Sequence, residues 1–298
     1  MKRLKILPLR IRCRAVADMP LPAFKGTVLH GALGWALDAV SPDLRRLMYA
    51  SEGGFTERAT PNPFALIPPL HAGPGFQAGE SFHFGLTLFG CAVDVAAPCV
   101  AALQAMAERG LGPGRVSFAI ELIEQRHPDG LWRPLVSPAQ AMWFASPQAL
   151  DGSQLSRPAL ADALEVAFLT PTTLTENNQP CRRAPAFKTL FSRALGRALM
   201  VGSELHGVEL LDSATKKDLL NRAGAIRLTA DATCWQEVER FSPKEERERQ
   251  FGGLLGLAAY EGDFTPFIPW LALAQALQVG KKTSFGFGVT HFRPTSFL

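Results

Sequence analysis

The sequence predicts an α+β protein made of two tandem ferredoxin-like (RRM-like, βαββαβ) domains. Three observations carry this expectation. Segments with strand and helix periodicity run strand, helix, strand, strand, helix, strand; the second half repeats that order; and a Pro/Ser/Gln-rich stretch lies between them. A length of 298 residues suits two domains of ordinary size. The expected boundaries are 1–133 for the first domain, 134–160 for a linker with weak helical character at Ala139–Phe144, and 161–298 for the second domain.

Each element has its own warrant. Residues 3–16 alternate, with Leu9, Ile11, Cys13 and Ala15 on one face and Arg10, Arg12 and Arg14 on the other, which is a half-buried strand with an arginine stripe. After Pro20 and Pro22, FKGTVLHGALGWALDAV places Val28, Leu29, Leu33, Ala36, Leu37 and Val40 on one helical face. PNPFALIPP is a short strand between prolines, and SFHFGLTLFG is a strand with Phe82, Phe84, Leu86 and Leu88 on one side. VDVAAPCVAALQAMAERG reads as a helix ending at Gly110, and RVSFAIELIE as the next strand. In the second half, LEVAFLTPTTL, AIRLTADATCW, FGGLLGLAAYEG and TSFGFGVTHF read as strands, with helices over PAFKTLFSRALGRALMV and DFTPFIPWLALAQALQ.

Composition narrows the function classes. A net charge of +4 gives no global field, but the first 17 residues carry six cations and no acid, and residues 182–197 carry five cations and no acid. Local basic clusters in a near-neutral chain suit a face built for an anion, against the plainer reading of solvated charges. The five cysteines, Cys13, Cys91, Cys99, Cys181 and Cys234, are odd in number and lack zinc-ligand spacing, so neither a disulfide framework nor a metal site is expected. No cofactor is expected either. The basic amino terminus is broken by Pro8 and lacks a signal-peptide core, and no apolar run approaches a membrane span, so the expected location is the cytoplasm, with no membrane partner.

The stretch GKKTSFGFG, residues 280–288, poses the functional question. A phosphate-binding P-loop needs a glycine five residues ahead of Gly280, where Gln275 stands, and a following helix rather than a strand. That reading fails. Gly280 fits a residue ending a helix over 264–278, with Lys281 and Lys282 beyond its negative end. Gly286 and Gly288, two apart in an expected strand, mark either a bulge or a bare face that a sugar-phosphate chain approaches beside Lys281, Lys282 and Ser284. Phe285 and Phe287 read as core ahead of base-stacking residues.

Taken in order, these stretches resemble the CRISPR-associated endoribonucleases of the RAMP superfamily that process precursor CRISPR RNA. GKKTSFGFG resembles that family's glycine-rich loop, and FKGTVLHGALGWAL resembles its first-helix motif. NPFALIPP with FHFGLTLFG, MAERGLGPGRVSF, AFLTPTTL and FGGLLGLAAYEGDF are similar to further segments of it. Two departures stand out. No cysteine cluster follows the first helix in 41–62, and His30 and Trp35 occupy places where related sequences often carry arginine and histidine.

The resemblance implies metal-independent cutting within the CRISPR repeat at the base of a hairpin. In that reaction the 2′-OH attacks the adjacent phosphate and leaves a 2′,3′-cyclic phosphate and a 5′-OH. The alternative is a non-catalytic subunit of a CRISPR effector complex that holds crRNA. The implied partners are CRISPR repeat RNA or crRNA, with other effector subunits as further candidates. Such cleavage needs proton transfer and positive charge at the phosphorane. His30 is the first candidate for the former and Lys25 for the latter; the plain alternatives are a partly buried histidine and a solvated lysine. His83, on the strand face opposite Phe82 and Phe84, is the runner-up histidine. The candidate RNA contacts are Arg10, Arg12, Arg14, Arg115, Arg182, Arg183, Arg193, Gly280, Lys281, Lys282, Ser284, Gly286 and Gly288. The mixed-sign run 244–249 reads as a solvated loop.

Overall fold

The computed structural model describes residues 4–50, 61–71, 73–155, 160–238 and 251–295; the run 244–249 lies outside them. The chain divides into two compact units. The first comprises Met1–Gln154 with Glu204–Gly207 and Ser284–Gly286, and the second comprises the remainder.

In the first unit the elements are β1 (Lys5–Ala15), α1 (Gly26–Val40), α2 (Pro42–Met48), β2 (Phe64–Ile67), β3 (Ser81–Phe89), α3 (Ala96–Arg109), β4 (Phe118–Arg126) and β5 (Trp132–Ser137). The antiparallel sheet runs β2-β3-β1-β4-β5, so its first four strands have the ferredoxin-like arrangement. The alternation in β1 does what the pattern demands. Leu9, Ile11 and Cys13 are buried against the partners of β3 and the helices, while Arg10, Arg12 and Arg14 stand on the other face. On β3, Phe82, Phe84, Leu86 and Leu88 are all buried. Leu29, Leu33, Ala36 and Leu37 of α1 close the core together with Cys99, Ala102, Leu103 and Met106 of α3. The stretch Gly90–Arg109 has the length and apolarity of a membrane-crossing helix. It is instead a 3₁₀ turn over Gly90–Val95 followed by α3, whose apolar face is part of this core.

The second unit holds β6 (Ala163–Thr172), α4 (Phe187–His206), α5 (Ser213–Ala223), β7 (Arg227–Val238), β8 (Phe251–Glu261), α6 (Ile268–Leu277) and β9 (Thr290–Thr295), although the last turn of α4 groups with the first unit. Its sheet order, β7-β8-β6-β9, repeats the ferredoxin-like order of the first unit. The core is aromatic: Phe187 lies edge-on to Phe264 and Phe267, with ring centroids 5.2 Å apart in both pairs, and Tyr260 Oη donates to the Pro185 carbonyl at 2.9 Å.

Three segments differ from the sequence expectation. Residues 134–154 are gathered into the first unit: β5 pairs with β4, a 3₁₀ turn over Pro138–Gln140 overlaps the start of the expected helical stretch, and a short strand over Met142–Trp143 pairs back with β5. Helix α5 lies in a stretch with no strong apolar face, and it is started by Asp212, whose carboxylate accepts from the Thr215 N–H at 2.9 Å. The glycine-rich stretch is not a strand. Thr283–Phe285 form a 3₁₀ turn, Gly286 and Gly288 have φ of 82° and 80°, and β9 begins only at Thr290. Positive φ at alternate residues breaks the pleat that a strand requires.

Candidate nucleic-acid interface

His30 sits in the first full turn of α1 and is 5% exposed. Its ring stacks on Phe285 with centroids 3.6 Å apart and an interplanar angle of 24°, and tilts against Tyr49 at 4.8 Å. Its Nδ1 lies 2.9 Å from the Ser284 carbonyl oxygen, so Nδ1–H is the donor. The Tyr49 hydroxyl donates to the His30 carbonyl at 2.5 Å, and Asn62 Nδ2 donates to Ser284 Oγ at 3.2 Å. This is a packed polar knot around Ser284 and Phe285. A Cβ on Gly26 would lie 2.1 Å from the Phe285 carbonyl oxygen, which explains glycine at the first position of α1. The expectation of His30 as an acid or base at an RNA phosphate therefore meets a side chain already enclosed by this knot.

Lys25 is 1% exposed, and its Nζ donates to the carbonyls of His71 at 2.8 Å, Gly73 at 2.9 Å and Ala23 at 3.3 Å. Burial lowers its pKa from the ordinary lysine value, with Glu80 acting in the opposite sense. An ammonium holding three carbonyls has no donor left for a phosphorane. Both expected catalytic side chains hold local backbone in place.

The arginine stripe divides by partner. Arg10 is forked onto Glu124, with Nε–Oε2 at 2.7 Å and Nη2–Oε1 at 3.0 Å, and its guanidinium lies 4.8 Å from the Trp132 ring centre. Arg14 donates to Glu121 at 2.6 Å and to the Gly79 carbonyl at 2.9 Å. Arg12 is exposed and has no ion pair among the described residues. Its register partner on β3 is His83, which is also exposed. Directly opposed residues on one sheet face hold their Cβ atoms about 4.5–5.5 Å apart. Arg12 and His83 thus set a free cation beside an accessible imidazole.

In the second unit, Arg182 lies over the Trp235 ring at 5.0 Å. Arg183 donates to the Thr233 carbonyl at 2.5 Å and approaches Asp231 at 3.7 Å, and Arg193 donates to the Thr175 carbonyl at 2.8 Å. Within the glycine-rich stretch Lys281 is exposed and Lys282 lies over Phe287, whereas Ser284, Gly286 and Gly288 are buried. Ser284, Gly286 and Gly288, expected from the sequence as RNA contacts, are here packed against protein. Phe287 is core, as the sequence favours. Buried Arg197, unnoticed as a functional position in the sequence, donates through Nη2 to Thr283 Oγ1 at 2.9 Å, and burial pulls its pKa down to about 10. Arg115 stands in the loop after α3 with φ of 48°, in the left-handed region. No group of three or more His, Cys, Asp or Glu side chains gathers as a metal site among the described residues.

Comparison with known proteins follows this geometry. The family model of the CRISPR-associated endoribonuclease Cas6 matches residues 166–290, and an N-terminal domain model matches residues 48–148. No curated protein sequence matches the chain. Among solved structures, a Cas6 product complex is 18% identical with a TM-score of 0.59, covering 96% of this chain and 99% of that one. Thermus thermophilus Cas6 is 15% identical with a TM-score of 0.59, covering 97% and 99%. A RAMP protein binding different RNA substrates is 11% identical with a TM-score of 0.54, covering 96% and 99%. At these identities the structural likeness carries the fold. Residues 166–290 thus match the model of the CRISPR-associated endoribonuclease Cas6, and nearly the whole chain shares the tandem ferredoxin-like fold of the Cas6 structures.

Proposed function

We propose that this chain is an endoribonuclease that cuts precursor CRISPR RNA within its repeats without a metal ion. The 2′-OH of the RNA attacks the adjacent phosphate, the 5′-oxygen leaves, and the products carry a 2′,3′-cyclic phosphate and a 5′-OH. The match of residues 166–290 to the Cas6 endoribonuclease model carries this reading. The RNA contacts fall to the cations that each unit leaves at its surface, Arg12 and Arg115 in the first and Arg182 and Lys281 in the second. Proton transfer is assigned to His83, because its imidazole is accessible and stands opposite the cation of Arg12. His30 and Lys25 are positioning residues that fix Ser284–Phe285 and the 71–73 backbone.

Purified protein incubated with labelled repeat RNA in EDTA tests this. Cyclic-phosphate product from the native protein and from His30→Asn, but not from His83→Ala, is the expected result. Loss of cutting in every His30 variant with unchanged stability would return the proton-transfer role to His30. One observation favours a second reading, a crRNA-holding subunit without cutting activity: Lys25 and His30, the two expected catalytic side chains, are buried. Tight RNA binding with no product from the native protein would select that reading.

A further inference from the structure

A cleft of about 340 Å³ lies in the first unit between α1 and the loop that follows α3. Its wall on α1 includes Gly31 and Trp35, and its wall on the loop runs from Arg109 through Gly112 to Arg115. Four features of it ask for an explanation. The guanidinium of Arg109 lies 3.5 Å from the Trp35 ring centre, yet the indole remains 38% exposed. Neither Arg109 nor Arg115 has a carboxylate partner among the described residues, and no acid lines the cleft. Arg115 is held at φ of 48° by a turn in which its N–H donates to Gly112 and by the Leu111–Val116 pair, so backbone strain is accepted to aim this cation. Lastly, Gly31 stands in the middle of α1 although a Cβ there would meet nothing within 4 Å. Glycine is the poorest helix former after proline, and packing gives no reason for it at this position.

We propose that this cleft is a subsite for one nucleotide of the bound RNA, with the phosphate on Arg109 and Arg115 and the base against the exposed part of the Trp35–Arg109 stack. Two adjacent cations without an acid are stabilised by an arriving anion, and a planar guanidinium on an indole extends a surface on which any base stacks. Desolvation, and then the charge of Arg115, pull the Arg109 pKa below its ordinary value, which fits a pair of cations lacking a counter-charge. The cleft has the volume of a small-ligand site. The bare helix surface at Gly31 keeps it open. This assignment rests on the RNA-processing reading for the identity of the larger substrate, whereas nucleotide binding by the cleft stands without it.

Titration of the full chain with adenosine 3′-monophosphate, followed by tryptophan fluorescence, tests it, with adenosine and inorganic phosphate as separate arms. The nucleotide is expected to saturate the signal and to bind at least tenfold more tightly than either fragment. Gly31→Leu fills the cleft with its charges intact, and Arg115→Gly removes one cation while relieving the positive φ. Each is expected to weaken the nucleotide at least tenfold with an unchanged or raised melting temperature. No saturable binding by the native protein, or equal binding by Gly31→Leu, overturns the proposal. Repeat-RNA cutting separates the two ideas. If Gly31→Leu loses the nucleotide and still cuts with native KM, the cleft is no RNA subsite while the endoribonuclease reading survives. If the native protein binds nucleotide in the cleft but neither binds nor cuts repeat RNA, the endoribonuclease reading fails and the nucleotide site remains.

Discussion

Replacing His30 distinguishes a positioning residue from a proton-transfer group because the two roles predict different stabilities. His30→Ala removes a ring stacked at 3.6 Å on Phe285 and a hydrogen bond at 2.9 Å to the Ser284 carbonyl. The ring pairing contributes about 1 kcal/mol, and the hydrogen bond about 1 kcal/mol. The space left by a mostly buried imidazole costs roughly half of a Phe→Ala change, about 2 kcal/mol. Together the loss is about 4 kcal/mol, and at about 2–4 °C per kcal/mol for a chain of this size the melting temperature falls by roughly 8–16 °C. His30→Phe keeps the stack and leaves the carbonyl of Ser284 without this donor, for about 1–2 kcal/mol. His30→Asn keeps a donor and loses the ring. Urea unfolding of the three variants, with repeat-RNA cutting measured well below each midpoint, provides the assay. A positioning role predicts that cutting follows stability and returns in the Phe and Asn variants. Native-like stability of His30→Ala, within about 0.5 kcal/mol, together with cutting lost in all three variants, would refute the packing argument.

Three further outcomes follow from the same geometry. Arg12→Ala should lower the slope of log RNA affinity against log salt by about 0.7 without changing stability, while Arg10→Ala, whose guanidinium is already forked onto Glu124, should change that slope less. Gly288→Ala puts a Cβ 2.0 Å from the Val279 carbonyl oxygen at a φ of 80°, and should cost about 3 kcal/mol or more in a thermal melt; Gly196→Ala, in α4 with nothing within 4 Å, should gain about 0.5–1 kcal/mol. The Asp212 pKa is lowered, chiefly by the Thr215 N–H, so its cap on α5 is in force above the ordinary carboxylate value and is lost as pH falls through the lowered one; amide exchange in α5 should quicken as pH falls below the ordinary aspartate range in the native protein and show no such step in Asp212→Ser.

Much of the fold was legible because period-two and helical apolar patterns are local. Leu9, Ile11 and Cys13, or Leu29, Leu33 and Leu37, declare their buried face without reference to distant residues. The candidate site was less legible because its facts are long-range. Periodicity left His30 at the edge of the apolar stripe of α1; its burial was decided by Ser284 and Phe285, about 250 positions away. The arginines of β1 look equivalent in sequence, and only the β4 carboxylates Glu121 and Glu124 distinguish Arg10 and Arg14 from Arg12. Trp35 and Arg109 carry no motif in common and meet because α1 packs on α3. Helix α5 was missed because its moment is weak and only Leu219 and Ala223 are buried.

The glycine-rich stretch shows how one motif supports two physical readings with opposite requirements. A cradle for phosphates needs backbone N–H groups that face outward, whereas tight packing needs glycine where a Cβ would strike backbone. In the second unit the Gly288 N–H donates to Pro171 at 3.1 Å, the Val289 N–H to Thr170 Oγ1 at 3.0 Å, and the Phe287 N–H to Lys282 at 3.3 Å. These amides are spent on protein oxygens. A Cβ on Gly280 would stand 2.5 Å from the Thr173 carbonyl oxygen, at a φ of 88° that L side chains rarely adopt. Glycine at 280 and 288 is therefore demanded by the chain's own backbone, and any electrostatic hold on RNA here falls to the exposed ammonium of Lys281. Loss of stability in Gly288→Ala and loss of RNA affinity in Lys281→Ala should consequently be separable. A Gly288→Ala protein that melts like the native chain but no longer holds RNA would reverse the assignment and give the motif back to the phosphate.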